Sequence, residues 1–181
     1  LLQASLQYCI DSSEVLPNSK EIKDLLLNTL SVLKPSVTDS FLPILLQVYK
    51  TYPSQDIVIP LFHVMSKITI TDTGLIRDMY SIVSEETQKH FSQRSNELII
   101  ASVTALGSVH DSNLFTNLFP CLFLELDSDV SSLIFTVISQ YIQHYKADSI
   151  KIIAGDNIAE KRVVFDLAEK SEKSTRCEAK T

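Results

Sequence analysis

The feature that most constrains the fold of this chain is a pattern that recurs four times along it. Four segments of 13 residues align on an acidic residue followed by an apolar one, and they are 21–33, 56–68, 97–109 and 129–141. Their starts lie 35, 41 and 32 residues apart. Spacings of this size are typical of repeats built from two helices. We therefore expect each segment to be the second helix of a helical hairpin.

Residue types inside the four segments follow the period of an α-helix. Positions 2, 6, 9 and 13, with position 10 beside them, fall on one face of a helix and are expected to pack on the partner helix of the hairpin. Position 11 is small in every segment and would let a neighbouring helix approach closely: Ser31, Ser66, Gly107 and Ser139. Agreement over several columns predicts a repeating two-helix unit.

Helical spacing of apolar residues extends over most of the chain, without sustained alternation of period two. Only three glycines occur in 181 residues, which argues against hairpin-rich β folds and phosphate-cradling loops. Polar breaks predict helices over nine spans, with a short turn near 149–154: 1–10, 19–33, 38–51, 55–68, 74–89, 94–109, 113–125, 129–145 and 156–171. The fold class expected from the sequence is all-α.

Two junctions between predicted helices resemble those of HEAT repeats, in which a proline in the first helix is followed by a turn with aspartate and a second helix that opens with valine. They read FLPILLQVYKTYPSQDIV at 41–58 and LFPCLFLELDSDVSSL at 118–133. The resemblance implies a right-handed α-solenoid of about four to five antiparallel helix pairs. Armadillo-like or irregular helical repeats remain open as alternatives.

The predicted organisation is a HEAT-like stack over 1–145, followed by a capping helix region at 146–170 and a charged tail at 171–181. The repeats of the stack are expected at roughly 1–33, 38–68, 74–109 and 113–145. The chain starts at Leu1 and opens on an apolar stretch that would fit poorly as the outer face of a stack. We therefore expect it to be a segment of a larger protein.

Charge and hydropathy limit the kinds of partner. Residues 1–145 hold 8 basic and 15 acidic side chains, whereas 146–181 hold 8 basic and 7 acidic ones. An acidic body disfavours nucleic acid as the main partner. No apolar stretch reaches the about 20 residues that a membrane-spanning helix needs. The three cysteines are few and far apart, so a reducing compartment, cytoplasm or nucleus, is expected.

No pattern of residues predicts catalysis, a metal site or a cofactor. The four histidines lie far apart without a histidine or cysteine partner at helical spacing: His63, His90, His110 and His144. The glycines are too sparse for a phosphate-binding loop. Glu85 and Glu86 are adjacent, so on a helix their carboxylates diverge. The sequence therefore predicts a protein that is not an enzyme.

Two sets of residues are candidate protein-binding surfaces. Position 8 of the aligned segments is polar throughout and would line the concave groove of a HEAT-like stack, where a peptide or helix could bind: Asn28, His63, Thr104 and Thr136. Alternatively, these are simply solvated positions. The second set is a stripe in the apolar helix predicted at 113–125, namely Phe115, Phe119 and Phe123. It would dock a partner if exposed, or be buried between repeats.

The function expected from these features is a protein-interaction scaffold or adaptor within a larger intracellular protein or complex. Two alternatives remain open, a fragment of a karyopherin-type transport receptor and a regulatory or scaffold subunit of a kinase or phosphatase.

Overall fold

All regular secondary structure in the described part of the chain is helical. A computed structural model describes residues 1–13, 15, 19–109, 111 and 113–153, with side chains to residue 143. Short 3-10 helices occupy Asp39–Phe41, Phe91–Gln93 and Phe119–Phe123. The α-helices are α1 (Leu2–Ser13), α2 (Lys20–Leu33), α3 (Leu42–Thr51), α4 (Gln55–Met65), α5 (Thr73–Gln88), α6 (Asn96–Leu106), α7 (Leu114–Leu118) and α8 (Ser128–Ile153). The expectation of an all-α protein is confirmed for these residues.

The chain divides into two compact units, and the first, Leu1–His110, contains α1 to α6. Sequential helices pack as three pairs, α1 on α2, α3 on α4 and α5 on α6. The second helices of these pairs also pack on one another in order, since α2 contacts α4 and α4 contacts α6. Helix α1 contacts α3 in the same way. The three predicted repeats in this unit therefore exist as helix pairs that pack in chain order.

Polar contacts fix the relative directions of these helices. The Asp39 carboxylate accepts a hydrogen bond of 2.9 Å from the Thr69 N–H, which joins the start of α3 to the residues after α4 and makes that pair antiparallel. Lys23 and Asp56 form an ion pair of 3.8 Å between the first turns of α2 and α4. Helices α2 and α4 are consequently parallel neighbours.

The predicted apolar stripe is buried in all four aligned segments. Each acidic residue used for the alignment is the second residue of its helix, in α2, α4, α6 and α8. Positions 2, 6, 9, 10 and 13 are buried in every segment: Ile22, Leu26, Thr29, Leu30, Leu33, Ile57, Leu61, Val64, Met65, Ile68, Leu98, Ser102, Ala105, Leu106, Val109, Val130, Ile134, Val137, Ile138 and Tyr141. The prediction of the packed face is confirmed.

Local signals explain where the second helices begin. Ser19 and Ser95 precede α2 and α6, and their side chains accept hydrogen bonds from the N–H groups of Ile22 and Leu98. Such N-caps satisfy donors that have no partner within the helix. The acidic residue in each first turn also interacts favourably with the helix dipole. The acidic residue therefore marks the same structural position each time.

The second unit, Asp111–Thr181, contains α7, the 3-10 helix Phe119–Phe123 and α8, which pack on one another. A continuous helix over 113–125 was expected, and this prediction is wrong. Pro120 has no N–H to continue the α-helical hydrogen bonds, so α7 ends at Leu118 and the chain tightens into a 3-10 helix. The unit pairs a short, interrupted first helix with a long second one.

Helix α8 also differs from the sequence-based expectation at its far end. We expected a polar break at 146–149 and a turn near 149–154, but α8 continues to Ile153. The segment 128–153 contains neither glycine nor proline, and lysine and alanine are good helix formers, so polarity alone does not end the helix. The predicted helix 156–171 and the charged tail 171–181 lie outside the described residues.

Candidate functional site

Three of the four predicted groove residues lie on neighbouring helices of the first unit. Asn28 on α2 is exposed, and His63 on α4 and Thr104 on α6 are half-buried. They occupy the same position of the repeat, on helices that contact one another in the order α2, α4, α6. We refer to these three residues as the polar row. Thr136 is exposed on α8, in the second unit.

The polar row lies beside half-buried apolar residues and offers hydrogen-bond acceptors. The Thr104 hydroxyl donates to the Ile100 carbonyl oxygen at 2.6 Å, so its proton is used within the helix and a lone pair remains available. Ile59 and Ile100, one turn before His63 and Thr104, are half-buried. A surface of this composition suits the side chains and amide groups of a peptide better than a phosphate backbone.

His63 is the titratable member of the polar row. Partial burial lowers the pKa of its imidazole, and the positive charge of Lys34 lowers that pKa further. The imidazole is therefore neutral at pH 7, with one nitrogen that donates a hydrogen bond and one that accepts. His63 can thus contribute both hydrogen-bonding roles to a ligand on the row.

The depressed pKa of His63 makes the stability of the protein depend on pH. Because folding disfavours the charged imidazole, the unfolded state binds more protons as the pH falls below about 6.5, and stability is lost through the folded-state pKa. We expect the urea midpoint to decrease between about pH 7 and pH 5, and to decrease less in His63→Gln. Equal slopes for the two proteins would show that His63 has no such role.

The predicted phenylalanine stripe is not an exposed surface. Phe115 and Phe119 are buried and stack with their ring centroids 4.6 Å apart. Phe123 packs edge-on against Phe119 at 5.3 Å and is 63% exposed. The expectation of three exposed rings is therefore wrong for Phe115 and Phe119, because the 3-10 turn at Pro120 folds these rings into the core. Phe123, followed by the exposed Leu124, is what remains accessible.

A polar cluster at the turn between α5 and α6 was missed by the sequence reasoning. The carboxylate of Glu86 is only 4% exposed, accepts a hydrogen bond of 2.9 Å from the Ser95 N–H, and pairs with Lys89. The Arg94 guanidinium donates to the carbonyl oxygens of Glu86, Thr87 and Lys89 at the end of α5. The cluster joins the end of one helix to the start of the next, which gives it a structural role.

Opposing effects act on the ionisation of Glu86. Burial raises the pKa of its carboxyl, but the hydrogen bonds from Lys89 and the Ser95 N–H and the charges of Lys89 and Arg94 outweigh it. The net result is a lowered pKa, so the carboxylate is charged at neutral pH. A general acid near pH 7 would need the opposite shift.

Other chemistry has little support among the described residues. They contain no group of three or more histidine, cysteine or acidic side chains able to hold a metal ion. Burial raises the pKa of the Cys9 thiol, which makes it a poor nucleophile. In the same residues, every helix is too short or too polar to cross a membrane. Comparisons with protein families, curated proteins and solved structures give no match for this chain.

Proposed function

We propose that this chain is a HEAT-like, right-handed α-solenoid segment that acts as a protein-interaction scaffold or adaptor, and that the polar row on α2, α4 and α6 binds a peptide or helix of the partner. The polar row is the observation that carries the proposal. Its residues share one repeat position on helices that pack in order, while five other positions of the same repeat are buried.

The buried positions give the polar row a rigid base. Leu26, Leu61 and Ser102 occupy the same buried position on α2, α4 and α6 and are fully inaccessible to water. Side chains at position 8 therefore project from helices whose opposite faces are fixed. A surface that is ordered before binding loses less conformational entropy when a partner docks. This favours a binding role over simple solvation of the row.

Charge near the polar row supports a protein partner. The first turns of α2, α4 and α6 carry the exposed carboxylates Glu21, Asp56 and Glu97. A nucleic acid lying across these helices would place its phosphates close to carboxylates, which is unfavourable. A peptide with a basic residue at this end would gain a favourable interaction. We propose a cytoplasmic or nuclear location and no catalytic activity of the chain itself.

Affinity capture with altered polar rows tests the proposal. The variant His63→Glu with Thr104→Glu places two carboxylates on the row without touching a fully buried side chain. We expect partners captured by the wild type to be reduced at least about tenfold, since burying unpaired charge against a docked peptide costs more than about 1.4 kcal/mol. The measurement is quantitative mass spectrometry of the bound proteins.

A matched control adds the same two carboxylates elsewhere in the first unit. Ser81 and Ser84 are exposed on α5, so Ser81→Glu with Ser84→Glu changes the charge without changing the row. The control is expected to retain the partners. Partners kept equally by both variants would exclude the polar row as the binding surface.

A further inference from the structure

Helix α2 has an apolar flank that no helix of the described chain covers. Leu25 and Val32 are 38% and 60% exposed, and Glu21 is exposed on the same flank, one turn before Leu25. Spacings of four and seven residues place these three side chains on one side of the helix. We call Glu21, Leu25 and Val32 the α2 edge. Lys23, two residues from Leu25, lies on the other flank, where it pairs with Asp56 of α4.

The repeat shows what kind of element covers such a flank. At the 35-residue offset of the first two aligned segments, Glu21 corresponds to Asp56 and Leu25 to Pro60. On α4 this flank is in contact with α2, and Asp56 is paired with Lys23. On α6 the residue equivalent to Leu25 is Ala101, which is fully buried, and α6 packs on α4. The same flank is thus covered by a parallel helix at each later step.

We propose that the α2 edge binds an amphipathic α-helix that lies parallel to α2 and carries a basic residue beside Glu21. The contact would continue the α2–α4 interface by one step, with Leu25 and Val32 in the place of the α4 residues that face α2. The partner's basic residue would pair with Glu21 as Lys23 pairs with Asp56. This inference rests on the helix pairing that also supports the proposed function, but it concerns a different face of α2 and a different partner segment.

The chemistry of the α2 edge selects this partner. Large apolar side chains half or more exposed lose unfavourable hydration when a helix covers them. The carboxylates of Glu21 and of Asp24 nearby make the rim acidic, which favours a helix with a lysine or arginine over one with an acid at that position. A helix, unlike an extended peptide, can align apolar residues with Leu25 and Val32 at the seven-residue spacing of two helical turns.

A stapled helical peptide that copies residues 19–34 is the probe, because α2 is the helix that covers the equivalent flank of α4. The staple joins positions 24 and 28, which are exposed on α2. Fluorescence anisotropy with the full chain is expected to show saturable binding in the micromolar range. We expect Val32→Asp in the full chain to weaken binding at least about tenfold. Val32 is exposed, so circular dichroism should show an unchanged fold.

Controls separate this site from other apolar surface and from the polar row. Phe91 is as exposed as Val32, and Phe91→Asp is expected to leave binding unchanged, as is Thr104→Glu on the polar row. A probe with glutamate in place of Lys23 should bind the wild type more weakly and regain affinity for Glu21→Lys. An absence of saturable binding, or equal losses in Val32→Asp and Phe91→Asp, would overturn the proposal.

Sedimentation velocity identifies the competing occupant. A dimer of the full chain that disappears in Val32→Asp would show that the α2 edge binds a second copy, and the proposal of a separate basic helix would then be wrong. We expect a monomer for both proteins. Failure at this edge would leave the polar row untouched, since the capture variants alter neither Glu21, Leu25 nor Val32.

Discussion

Replacement of Leu61 by alanine is expected to lower the free energy of unfolding by about 2–5 kcal/mol. Leu61 is fully buried on α4, the one second helix of the first unit that contacts both α2 and α6. The substitution removes buried methyl groups and leaves a cavity where packing of neighbouring pairs depends on the stripe. Urea denaturation followed by circular dichroism measures the effect.

Ile59 provides the matched control on the same helix. It is an aliphatic residue of the same size, half-buried at position 4 of the repeat, outside the stripe. Ile59→Ala is expected to cost clearly less than Leu61→Ala, because its side chain leaves no closed cavity. Equal costs for the two variants would contradict the assignment of positions 2, 6, 9, 10 and 13 as the packed face.

Replacement of Glu86 by alanine is expected to destabilise the protein by about 1–3 kcal/mol, as is typical when a hydrogen-bonding partner of a largely buried group is removed. The Ser95 N–H would lose its acceptor, and Lys89 and Arg94 would lose the charge that faces them. The turn between α5 and α6 would then be held by the Arg94 contacts with the end of α5. Urea denaturation at pH 7 measures the loss.

Glu85 separates this effect from a general loss of negative charge. It is adjacent to Glu86 in α5 but exposed, so Glu85→Ala is expected to change stability by less than about 0.5 kcal/mol. The lowered pKa of Glu86 adds a pH signature. Its stabilisation is complete above about pH 4.3 and is lost as the pH falls through the folded-state pKa. The stability gap between wild type and Glu86→Gln should therefore narrow in acid.

The sequence alone predicted the packed face of the second helices because that face depends on spacing within one helix. An acidic first-turn residue followed by Ile22, Ile57, Leu98 or Val130 sets the register, and the buried stripe follows from the helical period. These are local relations, and the four copies reinforce one another. The order of the helix pairs followed from short connections between them.

Features that depend on contacts between distant residues, or on local backbone chemistry, were less accessible. The buried position of Glu86 depends on Ser95 and Arg94, which the chain returns to the end of α5, and its neighbour Glu85 has the same type of side chain but is exposed. The 3-10 turn after Leu118 could have been predicted, since Pro120 interrupts an otherwise helical pattern. The exposure of Phe123 alone, among three phenylalanines at helical spacing, follows from that turn.

Modification of His63 with and without partner tests the central claim most directly. Diethylpyrocarbonate reacts with neutral imidazole, and His63 on the polar row and the exposed His90 after α5 report on two surfaces of the same molecule. If a partner lies on the polar row, His63 is protected in the complex while His90 reacts as in the free protein. Unchanged reactivity of His63 in a complex that contains the bound partner would contradict the assignment of the polar row as the binding surface.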